Sequence, residues 1–142
     1  MFETIYSQIG GIVTVLVVAF AFLKGDEPER LASAAFVLVT GAVMLIPGPH
    51  GEGGARWAWM GLDFLLLAVF IGLAWHSRRT WLFWAAAFQS LIVTGHVLIV
   101  ADLRPPGDAF AAVNNMSNYG LLVSIAVGAF WAWQERRASG RE

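Results

Sequence analysis

The sequence predicts an all-α membrane protein, with five transmembrane helices in a compact bundle, the N-terminus outside and the C-terminus cytoplasmic. Three observations lead there. Of 142 residues, 58% are hydrophobic and only 13% charged, giving a mean hydropathy of +0.64, well away from a soluble domain. Five apolar runs reach the roughly 17–25 residues that a bilayer core requires. The gaps between them alternate in basic content, as retention of Lys and Arg on the cytoplasmic side demands.

In chain order the spans are expected at about residues 4–23, 31–47, 57–75, 80–101 and 109–133 of a single domain, 1–142. The first begins after MFET, an acid without a base. That disfavours its reading as a cleaved signal peptide, although Ala19-Phe20-Ala21 loosely resembles a cleavage site. KGDEPER leads into the second span, its acids and Pro28 suited to the positive end of a helix dipole. GPHGEGGAR, HSRR and DLRPPGD are short and rich in charge, Gly or Pro, as turns at a membrane surface are. With the N-terminus outside, Lys24, Arg30, Arg78, Arg79, Arg136, Arg137 and Arg141 are cytoplasmic, and only Arg56 and Arg104 are outside. Trp75, Trp81, Trp84, Trp131 and Trp133 then fall at the inner interface and Trp57 and Trp59 at the outer one, where amphipathic rings settle.

Polar residues inside apolar helices are costly and point to sites. Asp63 lies six residues into the third span, and His96 six residues before Asp102 at the end of the fourth. Both sit about 9 Å below the outer boundary. HSRR makes these helices antiparallel neighbours, so Asp63 and His96 are expected to meet. Asn114, Asn115, Ser117 and Asn118 on the fifth span, Thr40 on the second and Gln8 on the first reach the same layer. Gln89, seven residues before His96, shares its face nearer the bilayer centre. Two readings stay open for this polar cluster of Asp63, Gln89, His96, Asn114, Asn115 and Asn118: hydrogen bonds between helices, or an ionisable pair that relays protons or contacts a ligand.

Several chemistries are disfavoured. A net charge of -1 leaves no basic field for nucleic acid. The absence of cysteine removes disulfides, iron–sulfur clusters and a thiol nucleophile. His76 and His96 lie about 30 Å apart along the helix axis and cannot clamp one haem. Ile92 occupies the place where a light-harvesting pattern puts a small residue, and the only lysine, Lys24, is expected outside the spans, which argues against retinal. HExxH, G-x-S-x-G, P-loop and dinucleotide motifs are absent. His50 and Glu52 in PHGEGG are two ligands in a loop, more in keeping with a solvated turn than a metal site, and the sequon at Asn115 falls within a span. No catalysis, cofactor or metal is therefore expected. Small residues admit close helix approach: Gly10, Gly11, Gly41, Gly61, Gly72, Ala85 to Ala87, and the Ser124 and Gly128 pair. The expected partners are the lipid bilayer and other transmembrane proteins or copies of itself.

RWAWMGLDFLLLAVFIGLAWHSRRTWLFWAAAFQSLIVTGH carries an early Asp, a basic pair, W-x-x-W-A-A-x-F-Q and a His seven residues beyond the Gln. Over residues 56–133, with Asp63, Arg78, Arg79, Trp81, Trp84, Gln89 and His96, the chain resembles a group of small uncharacterised bacterial inner-membrane proteins. The resemblance implies a bacterial inner membrane and five helices, and no activity. On these grounds the leading expectation is a non-catalytic accessory or stabilising subunit of a larger membrane complex, respiratory or photosynthetic, or a homo-oligomer. The alternatives are a small transporter or proton-conducting protein using Asp63 and His96, and a haem- or quinone-binding redox subunit.

Overall fold

The structure, a computed structural model, describes residues 2–46, 53–103 and 107–140. They form five α-helices: α1 (Phe2–Lys24), α2 (Glu27–Leu45), α3 (Gly53–Ser77), α4 (Thr80–Val100) and α5 (Gly107–Ala138). No strand occurs among the described residues. Each helix satisfies its own backbone, as an apolar environment requires. Four stretches, Glu27–Leu45, Trp57–Ser77, Thr80–Val100 and Ala112–Ala138, are long and apolar enough to cross a membrane, which suggests a membrane protein. The apolar part of α1, Gln8–Lys24, is shorter.

The helices outrun the apolar runs at their charged ends, and local chemistry explains why. α2 starts at Glu27 rather than near Leu31: Asp26 takes an extended N-cap conformation, Pro28 sits in the first turn, and Glu27 and Glu29 face the positive end of the dipole. KGDEPER thus contributes only Gly25 and Asp26 to a connection, and Lys24 is the last residue of α1. α3 continues through Ser77, whose hydroxyl donates to the Leu73 carbonyl at 2.6 Å. It stops where Arg78 turns left-handed at φ 54, so the turn to α4 is Arg78 and Arg79 alone. α4 ends in a Schellman closure with Asp102 at φ 60. There the Leu103 N–H reaches the Leu98 carbonyl at 2.9 Å and the Asp102 N–H that of Ile99 at 3.1 Å. α5 carries its helix past residue 133 to Ala138, because QERRA is a good helix former with Arg136 and Arg137 at the negative dipole end.

Each helix packs on its sequence neighbours, α5 closes the ring onto α1, and α2 touches α5 across it. The core runs along the bundle axis through Phe36, Phe70, Leu82, Leu121 and Ile125. Lipid is as apolar as these side chains, so close packing and hydrogen bonds rather than water exclusion hold such a bundle. Two glycines of α5 mark the tightest approaches. A Cβ at Gly120 would lie 2.6 Å from the Phe88 ring, and one at Gly128 would lie 2.5 Å from Trp81. Outside, α1 to α5 present large apolar side chains such as Leu16, Leu38, Met44, Trp75 and Met116, a surface suited to lipid.

Candidate functional site

At one end of the bundle α2, α3, α4 and α5 line a half-open cavity of about 390 Å³, within the size range of small-ligand sites. Its walls are apolar, with Phe36 and Val43 from α2, Leu66 from α3 and Ile92 and Ile99 from α4. Asp63, His96 and Gln89 bring polar groups to one side and Asn114 and Asn118 to the other, with Thr40 and Trp59 completing the lining.

The polar groups converge on Asp63. His96 Nε2 lies 2.7 Å from Asp63 Oδ2. The Gln89 amide Nε2 donates to Asp63 Oδ1 at 3.2 Å and to the Asp63 backbone carbonyl at 3.0 Å. Gln89 is 1% exposed, and its side chain crosses from α4 to α3 to reach that carboxylate. The acid and the imidazole are each just over four-fifths buried, with side-chain exposures of 19% and 17%. One face of α4 therefore delivers both Gln89 and His96, as the seven-residue spacing implies, and the short α3–α4 turn brings Asp63 to the matching height. On α5 the Asn118 amide donates to the Asn114 carbonyl at 3.0 Å, leaving its oxygen as an acceptor for the cavity.

Not every residue of the expected polar layer joins in. Asn115 and Gln8 lie exposed on the outsides of α5 and α1, Ser117 is buried within α5, and no described residue of α1 lines the cavity. His76 is exposed at the far end of α3, while His50 and Glu52 lie outside the described residues. Of the expected packing residues, Gly128 meets the Trp81 ring and Ser124 donates to its own helix at Gly120 O, 2.8 Å away. Around Gly61 and Gly72 an added Cβ would meet nothing within 4 Å, so neither serves a helix contact inside this chain. Among the described residues no group of three or more His, Cys, Asp or Glu is placed to hold a metal ion.

The opposite end holds a second polar assembly. Glu29 of α2 is 0% exposed. Its Oε1 accepts the Trp81 indole N–H of α4 at 2.9 Å, and its Oε2 accepts the Asp26 backbone N–H at 2.9 Å. Asp26 pairs with Arg79 at 3.0 Å and with Arg136 at 3.4 Å, Arg79 reaches Glu135 at 3.5 Å, and Arg136 also donates to the Lys24 carbonyl. Lys24 and Arg137 flank the Trp133 ring at 5.2 and 5.3 Å, and Phe20 meets that ring edge-on at 6.3 Å. Both connections at this end and the C-terminal turns of α5 are thereby tied together. Trp81 is a buried clamp here and not a ring at the lipid interface. The capping signature Asp26-x-x-Glu29 is the trace of this assembly in the sequence; the partnership with Trp81, which lies 52 residues further on, has no local signal.

No known protein family, curated protein or solved structure matches this chain.

Proposed function

We propose that the chain is a small transporter or proton-conducting protein of a bacterial inner membrane, working through Asp63 and His96. One observation carries the reading: a carboxylate and an imidazole 2.7 Å apart share the wall of a cavity large enough for a ligand. A pair needed only to join α3 to α4 would be as well served by packed helices without a void, and an intramembrane acid is expensive unless used. Histidine changes charge near physiological pH and its neighbour accepts or returns the proton, the minimum equipment of a relay. The same orientation as before, N-terminus outside, puts the Glu29 end on the cytoplasmic side and opens the cavity towards the outer leaflet.

The test is proton flux into liposomes loaded with a pH-sensitive dye. The reading expects flux from the unaltered protein and its loss in Asp63→Asn and His96→Ala, both still folded by circular dichroism. Flux that is absent from the unaltered protein, or survives both substitutions, removes the reading.

A second reading, a subunit that packs against another transmembrane protein or a copy of itself, is favoured by the open α3 face around Gly61 and Gly72. Because the chain has no cysteine, Gly72→Cys gives a single crosslinking handle there. Capture of one stoichiometric neighbour in native membranes supports this reading; none in repeated trials refutes it.

A further inference from the structure

We propose that the cavity between α2, α3, α4 and α5 binds a lipophilic organic monocation of the aryl-ammonium class, one proton leaving the Asp63–His96 pair for each cation that enters. The proposal rests on the reading of this cavity as the functional site and adds the chemistry of its ligand.

The argument begins with charge. The pair is electrically neutral when it holds both of its protons, and carries one negative charge when one has gone. In a largely buried site that charge favours a positive partner close by. Nothing among the described lining residues supplies it: α2 presents Thr40 and apolar side chains, α5 presents Asn114 and Asn118, α4 adds Gln89 and α3 adds Trp59. None of these titrates, and among the described residues no Lys or Arg lines the cavity. An anion would meet the carboxylate unopposed and is rejected. A neutral polar solute would gain little from the acid.

A monocation with an apolar body meets every feature of the wall. Its charge takes the place of the departing proton beside Asp63. Its hydrocarbon groups contact Phe36, Leu66 and Ile92, and Trp59 in the lining is an aromatic residue of the kind that quaternary ammonium groups favour. The exchange balances: imidazolium and carboxylate plus cation give neutral imidazole and a cation–carboxylate pair, and the proton passes to solvent. The cavity holds one positive and one negative charge before and after, so the exchange adds no net charge to it. Gln89, donating to both Asp63 oxygens that face it, holds the carboxylate in place while its partner changes.

The experiment is isothermal titration of benzyltrimethylammonium into the detergent-solubilised protein, in buffers of different ionisation enthalpy, with benzenesulfonate as the anionic control. The expected result is saturable binding with about one proton released per cation, no binding of the sulfonate, and affinity that weakens about tenfold per unit fall in pH where the release occurs. His96→Gln should still bind the cation, and Asp63→Asn should lose at least tenfold in affinity. Absence of binding to the unaltered protein, binding without proton release, or equal affinity for the sulfonate overturns the proposal. These measurements on the unaltered protein decide it even if a variant fails to fold. Proton flux without cation binding would sink the proposal and leave the proton-conducting reading intact; binding with proton release but no flux would do the reverse.

Discussion

Glu29 and Trp81 offer the sharpest test of how the bundle is held, because removing either member of a buried hydrogen-bonded pair leaves the other unsatisfied, a cost that removing both together does not incur twice. Replacing Trp81 with Phe removes the indole N–H 2.9 Å from Oε1. A hydrogen bond to a charged group contributes about 1.5–3 kcal/mol, and the lost ring atoms add roughly 1 kcal/mol, so Trp81→Phe should cost about 3 kcal/mol. Glu29→Met keeps the volume but orphans the indole N–H and the Asp26 N–H, at about 1–3 kcal/mol for the more buried of the two. In the double variant neither the charge nor the indole donor remains. Its cost should then fall short of the sum of the single costs by about 1.5–3 kcal/mol. Reversible unfolding in mixed micelles, followed by the helical circular dichroism signal, measures all three. Additivity within about 0.5 kcal/mol would mean that the contact at 2.9 Å contributes nothing specific.

The remaining predictions distinguish kinds of contact. Gly128→Leu drives a side chain into the Trp81 ring, 2.5 Å from where its Cβ would sit; it should cost about 1–3 kcal/mol, seen as a lower unfolding midpoint, whereas Gly72→Ala at an open position should leave the isolated protein's midpoint unchanged or slightly higher. Arg79→Ala breaks pairs with Asp26 and Glu135 that remain partly solvated; its effect should stay below about 1 kcal/mol and shrink with added salt.

How much of this the sequence discloses depends on the range over which each feature is encoded. The helices are legible because apolar runs and their interruptions are local, and their ends are misjudged where a charged segment is itself helical, as in EPER and QERRA. The meeting of Asp63 and His96 is legible because a two-residue turn fixes the antiparallel register, after which the rise per residue fixes depth. The cavity is not legible, since its volume depends on how α2 and α5 stand apart around Thr40 and Asn118. Nor is the cluster at the other end, because charges in KGDEPER, HSRR and QERR look like ordinary solvated turns until they are folded against one another. Glycine is ambiguous for a similar reason: Gly72 and Gly128 are alike in composition and differ only in whether a bulky ring such as Trp81 faces them.

Tying the connections at one end while leaving a void between α2 and α5 at the other gives the bundle the mechanics of a pair of tweezers. The fulcrum is the Glu29, Asp26, Arg79 and Arg136 assembly, and the jaws are the ends of α2 and α5 that carry Thr40, Met44, Asn114 and Asn118. α2 has 19 residues and an axial length of about 28 Å, so a tilt of about 5° at the fulcrum would displace its far tip by about 2.5 Å. A swing of that size alters the mouth by nearly the width of a water molecule without unpacking the helices. Leverage of this kind would let the mouth of the cavity widen and narrow while the tied end stays packed.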